Sequence, residues 1–318
     1  QGPGNAFYEA KGVRGTQREL ELPASRGKIL DRNGQVIATS LEAKSVIAYN
    51  DTVPDDLAAD KVQKLASLLQ MGEAELRKKL KEERKQVFLK RQVDPAVAQQ
   101  IKQLEIPGIG LNNEYRRFYP EGEAMAHVVG FTNVEDRGQE GMELSREKDL
   151  AGHPGQRRVV VDRLGRVVDE MAILQLPQNG KDLNLSIDSK IQYLAYNAVK
   201  DAVEKHRAKA GGAVVLDTQT GEILALANYP SYNPNDRKYL TGEQLRNRVL
   251  TDTFEPGSTM KPLTVAIALE KGEIKPETNM VIGAKYLVGP KPITDTHAYG
   301  NLTVSQIIQK SSNIGTAK

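Results

Sequence analysis

Gly212-Ala213-Val214-Val215-Leu216-Asp217-Thr218-Gln219-Thr220-Gly221-Glu222-Ile223-Leu224-Ala225-Leu226-Ala227 reads as two apolar runs joined by a Thr-Gln-Thr-Gly turn. Such runs bounded by turn residues predict an antiparallel hairpin, and their near-continuous apolar content predicts a covered position in a sheet. The preceding stretch supplies a cover. Asp188 or Ser189 can cap a helix in which Ile191, Leu194, Ala195, Ala198, Ala202 and Val203 recur at spacings of three and four. That stripe must lie on another element. A helix on a meander sheet, followed by more helices, predicts an α+β domain.

Upstream, the turn-rich stretch Pro177 to Gly180 marks a domain boundary, dividing the chain into residues 1–179 and 180–318. Asn33-Gly34 between β-prone stretches is a hairpin signal, and Asp162-Arg163-Leu164-Gly165-Arg166 after Val159-Val160-Val161 is another. Helical stretches are expected at Ala59 to Leu69, Glu73 to Lys81 and Pro95 to Leu104, the last capped by Asp94 with Pro95 at its first position. These helices are polar and thin. They predict an elongated interaction module that buries little core and carries no catalytic site.

Composition narrows the function. The 44 basic and 41 acidic residues are interspersed and leave a net charge of +3, so no nucleic-acid footprint follows. The absence of cysteine removes disulfides and thiolate catalysis. His127, His153, His206 and His297 lack ligand spacing, and neither Walker A nor GxGxxG occurs, so neither metal nor cofactor is expected. No apolar run approaches 18 residues. Gln1-Gly2-Pro3-Gly4 reads as a tag-cleavage scar, with a natural N-terminal anchor expected to have been removed.

Serine acyl transfer needs a hydroxyl, an acceptor for its proton, a relay to the leaving group and donors for the oxyanion. Ser-x-x-Lys can supply the first two, because residues three apart share a helix face. It occurs at Ser25-Arg26-Gly27-Lys28, Ser145-Arg146-Glu147-Lys148 and Ser258-Thr259-Met260-Lys261. The first lies in a strand-like stretch beside glycine, where this spacing does not bring side chains together. The second lies in a solvated run.

The third differs. Pro262 lacks an N–H, which a helix can spare only in its first turn, so the helix is expected to begin near Gly257 with Ser258 at its N-terminus. Leu263 to Leu269 is apolar nearly all round, which predicts a buried helix that carries Lys261 out of water and so towards the neutral form a proton acceptor needs. The plainer alternative is a capping serine and a structural lysine. Ser311-Ser312-Asn313 follows downstream and offers a hydroxyl and a carboxamide two apart. Another Ser-x-Asn, Ser231-Tyr232-Asn233, precedes Ser258 in a loop bracketed by Pro230 and Pro234 and reads as turn chemistry.

Ser-x-x-Lys followed by Ser-x-Asn is the motif order of class A β-lactamases and penicillin-binding proteins. From about Arg26 onward the chain resembles class B penicillin-binding proteins, especially the division-specific FtsI type. The resemblance rests on Arg26-Gly27 with Asp31-Arg32-Asn33-Gly34, Arg116-Arg117-Phe118-Tyr119-Pro120, Ala126-His127-Val128-Val129-Gly130-Phe131-Thr132 and Gly138-Gln139-Glu140-Gly141. Asp217 to Ala227, Tyr232-Asn233-Pro234-Asn235 and Lys310-Ser311-Ser312-Asn313-Ile314-Gly315 complete it.

The resemblance implies an α+β chain: a non-catalytic N-terminal module of pedestal or dimerisation type, then a truncated transpeptidase domain related to serine β-lactamases. It implies a peptidoglycan D,D-transpeptidase that cross-links stem peptides at the septum. Ser258 is then the nucleophile that attacks the penultimate D-alanine carbonyl, Lys261 its proton acceptor, Ser311 a relay and Asn313 a substrate-orienting group. Implied ligands and partners are D-Ala-D-Ala stem peptides, β-lactam antibiotics, a membrane glycan polymerase and other division proteins. The family is held in the inner membrane by one N-terminal helix and acts in the periplasm.

An elongation-type relative would share every motif. A β-lactamase would not need residues 22–180, and a scaffold or sensor would not need Lys261 beside Ser258. The third motif, Lys-Thr/Ser-Gly on a sheet edge, is absent from these 318 residues. The polypeptide as it stands is therefore expected to be catalytically incompetent.

Overall fold

The computed structural model describes residues 15–318, so the reading of Gln1-Gly2-Pro3-Gly4 lies outside the described residues. Two compact units divide at Thr251/Asp252. In the first, β1 (Thr16–Leu22) joins a three-stranded antiparallel sheet. A second sheet runs from β2 (Ile29–Leu30) through the long β3 (Val36–Ala48). The Asn33-Gly34 turn joins these two strands as expected, with Gly34 in the left-handed region at φ 81°. Asp31 fixes this turn. Its Oδ1 accepts from Asn33 N and Gln35 N, both at 2.8 Å, and its Oδ2 accepts from Ser189 N at 3.1 Å. Burial opposes ionisation of Asp31, but these backbone donors outweigh it and hold the carboxyl below its usual range.

Helices α1 (Ala59–Leu69), α2 (Glu73–Leu80) and α3 (Pro95–Gln103) fall where the sequence predicts them, with β4 (Val87–Val93) between the last two. Asp94 caps α3 by accepting from Ala96 N. The expectation that this region buries little core is wrong. Val62, Leu65, Ala66, Leu69, Leu76, Ala98 and Ile101 form one buried cluster with Val46, Ala48, Leu89 and Val93 of the sheet. Each helix contributes only one narrow apolar stripe, and three stripes converge on one sheet face. Composition averaged over a helix hides this.

β5 (Ile109–Phe118) pairs along nearly the full length of β3 and delivers Arg117 and Tyr119 to a buried ionic cluster. Arg26 Nε donates to Glu143 Oε2 at 2.5 Å, and Arg117 Nε to Glu143 Oε1 at 2.6 Å. Arg26 Nη2 also donates to Glu147 Oε2 at 2.6 Å, and Arg117 Nη2 to Gly27 O at 2.6 Å. Arg26 is 1% exposed and Glu143 0%. Burial works to discharge Arg26, but hydrogen bonds and opposite charge from Glu147 and Glu143 outweigh it and hold its proton more firmly than usual. Arg26 lies in the first Ser-x-x-Lys copy, so that copy is a structural anchor.

β6 (Gly155–Val161) and β7 (Val167–Gln175) form the hairpin expected at Asp162-Arg166 and complete the first sheet in the order β1-β6-β7. Asp162 Oδ1 accepts from Leu164 N and Arg166 N, which closes the turn. β8 (Leu183–Asn184) then pairs in parallel with β2, returning the chain to the second sheet.

Helix α4 (Ser189–His206) is capped by Asp188, whose Oδ1 accepts from Lys190 N and Ile191 N. It packs on the predicted hairpin of β9 (Gly211–Leu216) and β10 (Ile223–Tyr229). The packed face differs from the predicted stripe. Ser189, Gln192, Tyr196 and Val203 are buried, whereas Leu194 is 67% exposed. Gln192 is there because it satisfies backbone groups: its Nε2 donates to Ala124 O and Leu226 O, and its Oε1 accepts from Leu226 N. The hairpin is covered on one side only, since Val214 and Leu216 are exposed. Leu226 and Ile187 share a core with Ile29, Ile37, Tyr119, Met125 and Val129, so the hairpin and the second sheet are knit into one unit.

Candidate active site

Residues 252–318 hold the remaining motifs. Gly257–Met260 forms a 3-10 turn with Gly257 at φ 59°, and α5 (Lys261–Glu270) follows with Pro262 in its first turn. Pro262 therefore sets the α-helix start at Lys261, and Ser258 sits one tight turn ahead of it. Lys261 N donates to Ser258 O, and Thr259 Oγ1 to Pro256 O at 2.6 Å, which holds the turn. Ser258 is exposed.

The expected burial of α5 is not found. No residue of α5 is buried, Leu263 and Ile267 are each 56% exposed, and Lys261 is half-buried. An all-round apolar helix needs cover on every face, and here its main partners are the two short helices on either side of Ser311, at Val304–Lys310 and Asn313–Ala317, which leave Leu263 and Ile267 exposed.

The second motif is built by a different route. β11 (Asn279–Gly283) leads into a small hairpin of β12 (Tyr286–Val288) and β13 (Lys291–Ile293), then β14 (Tyr299–Thr303) returns to pair with β11. Thr303 and Gln306 form a capping box that starts α6 (Val304–Lys310). Ser311 ends α6 in the left-handed region at φ 54°, and Ser312 at once caps α7 (Asn313–Ala317), its Oγ accepting from Gly315 N at 2.9 Å. Ile282, Leu302, Ile307 and Ile314 form the core beneath.

These two routes meet. Lys261 Nζ donates to Ser311 O at 2.6 Å and to Ser311 Oγ at 3.0 Å. Two N–H donors of Lys261 are thereby spent on Ser311, which joins the two motifs. Asn313 lies two residues on, its Nδ2 donating to Thr294 O at 2.9 Å. Sequence reasoning missed Asp295, whose carboxylate accepts from Ser312 Oγ, Asn313 N and Ile314 N. No sequence signal marks it, because a strand and a helix intervene before the loop it holds.

The competing motif copies have structural partners. Ser145 Oγ lies 3.8 Å from Met142 Sδ on an exposed surface. Ser231 Oγ donates to Glu123 O at 2.8 Å, and Asn233 Oδ1 accepts from Asn235 N.

The mixed architecture and the contact between the two serine motifs define an α+β protein in which a Ser-x-x-Lys lysine meets a Ser-x-Asn serine. Residues 21–185 match the model of the penicillin-binding protein dimerisation domain, and residues 211–318 that of the penicillin-binding protein transpeptidase domain. The first match alone spans more than half of the chain, which belongs to the penicillin-binding protein family.

Among curated relatives, "Peptidoglycan D,D-transpeptidase FtsI" of Escherichia coli (strain K12) is 41% identical over 306 residues, 95% of this chain and 52% of that protein. "Probable peptidoglycan D,D-transpeptidase PenA" of Neisseria gonorrhoeae is 44% identical over 316 residues, 98% of this chain and 54% of that protein. The chain spans about half the length of these relatives. A crystal structure of a peptidoglycan synthetase from Bifidobacterium adolescentis aligns with TM-score 0.65 at 26% identity, covering 94% of this chain and 60% of that one. Penicillin Binding Protein 2X from Streptococcus thermophilus aligns at 0.68 and 23% identity, covering 94% of this chain and 49% of that one, and supports the fold alone.

Proposed function

We propose that the protein is a septal peptidoglycan D,D-transpeptidase with Ser258 as nucleophile, Lys261 as its proton acceptor, Ser311 as relay and Asn313 as the group that orients the stem peptide. The observation that carries this reading is the pair of hydrogen bonds from Lys261 Nζ to Ser311, which couples the lysine of the first motif to the serine of the second. Ser258 Oγ attacks the penultimate D-alanine carbonyl, its proton passes to Lys261, and Ser311 carries a proton to the departing D-alanine amine. The acyl group then passes to an amine on a neighbouring stem. β-Lactams acylate the same serine. The septal assignment and the expectation of division-protein partners, including a membrane glycan polymerase, rest on the likeness to FtsI.

Residues 1–179 are read as the interaction module and 180–318 as the front of the transpeptidase domain. The parent protein is expected to be anchored in the inner membrane and to act in the periplasm. No helix among the described residues is long and apolar enough to cross a membrane.

Fluorescent penicillin tests the reading. The full-length gene product should be labelled stoichiometrically, and Ser258→Ala should abolish labelling. Labelling that survives in Ser258→Ala would overturn the assignment. The 318-residue polypeptide, which contains no Lys-Thr/Ser-Gly, should label at least 100-fold more slowly, because loss of one oxyanion donor alone costs about 10² to 10³ in rate.

A further inference from the structure

Asp295 lies between β13 and β14, outside both motifs, yet it takes two hydrogen bonds from the second one and a third from the residue after it. Its Oδ2 accepts from Ser312 Oγ at 2.6 Å, and its Oδ1 accepts from Asn313 N at 2.6 Å and Ile314 N at 3.1 Å. The preceding residue adds a fourth link, Thr294 O accepting from Asn313 Nδ2 at 2.9 Å. Ser312 is 1% exposed, so its hydroxyl depends on protein partners. Ser311, next to it, holds a left-handed backbone, which a non-glycine residue keeps only when its surroundings impose it. Its own N–H is bonded back to Ile308 O, and Ser312 N to Ile307 O. The direction of the chain leaving Ser311 is thus fixed from α6 on one side and from Asp295 on the other.

We propose that Asp295 is a positioning residue for the transpeptidase reaction, setting Ser311 Oγ and the Asn313 carboxamide by clamping the backbone that carries them. This rests on the reading of Ser258, Lys261, Ser311 and Asn313 as the transpeptidase site. Both carboxylate oxygens are committed to the loop, so Asp295 acts through these residues and not on the substrate. The geometry also sets how substitutions behave. Asparagine keeps Oδ1 for the two backbone N–H groups, and its Nδ2 can donate to Ser312 Oγ, which accepts one bond already and has a second lone pair. Alanine strands all three donors.

The test measures penicillin acylation of Ser258 in the full-length gene product, together with amide hydrogen exchange at Asn313 and Ile314. Asp295→Ala should slow acylation 10- to 100-fold and speed exchange at both amides at least 10-fold. Asp295→Asn should stay within three-fold of wild type in both. Combined with Ser311→Ala, Asp295→Ala should cost less than the product of the two separate losses, because part of the Asp295 effect runs through the Ser311 hydroxyl. Wild-type acylation in Asp295→Ala, or losses that multiply in full, would overturn the proposal while leaving the transpeptidase reading in place. Absence of Ser258 labelling in the wild-type protein would instead overturn that reading and, with it, the role of Asp295 in the reaction. Unchanged exchange in Asp295→Ala would refute the clamp whatever the acylation result.

Discussion

The unit running to Thr251 and the unit from Asp252 to Lys318 handle polar groups in opposite ways. In the first, Arg26, Arg117 and Glu143 are sealed from water and both arginines pair with the one carboxylate. In the second, Lys261 and Ser311 meet at the surface and Ser258 is exposed. The strongest departures from ordinary proton affinity also fall in the first unit. Tyr119 is pushed up by burial and by the Glu143 charge, and Asp136 is raised to about 6 by burial despite Arg26 and Arg117. A search for perturbed groups alone would therefore lead to a structural cluster. The proposed site rests instead on motif order and on the contact between Lys261 and Ser311.

The largest expected effect breaks the sealed network. Glu143→Ala leaves two buried guanidinium groups without their shared carboxylate and should destabilise the first unit by about 3–5 kcal/mol in urea unfolding. A loss below about 1 kcal/mol would mean that water or other groups already satisfy these arginines.

Asp136 probes the same cluster through pH. Its Oδ1 is buried without a hydrogen-bond partner, and its backbone sits at φ 59°, a region asparagine tolerates. A carboxyl whose folded-state value is raised to about 6 favours the fold fully below its unfolded value near 3.8, and that contribution is lost as pH rises through 6. Asp136→Asn should therefore raise stability at pH 7.5 by up to about 3 kcal/mol and leave it nearly unchanged at pH 4. Thermal unfolding at the two pH values checks the sign. Equal shifts at both would remove the ionic explanation.

The smallest effect concerns the second unit. Leu263→Ser with Ile267→Ser alters an apolar sequence whose side chains are more than half exposed, and in the 318-residue polypeptide it should change stability by less than about 1 kcal/mol.

Much of the local architecture was legible. Asn33-Gly34 and Asp162 to Arg166 declared their turns through residues suited to tight backbone geometry. Asp94 and Asp188 declared helix starts by the side-chain acceptors they bring. Pro262 limited where a helix around Ser258 could begin. Reading which side of a helix packs was less secure: the stripe through Leu194 looked apolar, but Gln192 is buried because two backbone carbonyls and an N–H need it.

Sequence by itself determined the hairpins, the caps and the order of the Ser-x-x-Lys and Ser-x-Asn motifs. These are encoded by short-range chemistry: missing or special N–H groups, capping oxygens and residue order. Only the tertiary structure decided that Arg26 belongs to a buried ion network, that three thin helices share one core, that Lys261 reaches Ser311, and that Asp295 holds the backbone just after Ser311. Each of those depends on which distant elements fold against one another, and no local spacing records it.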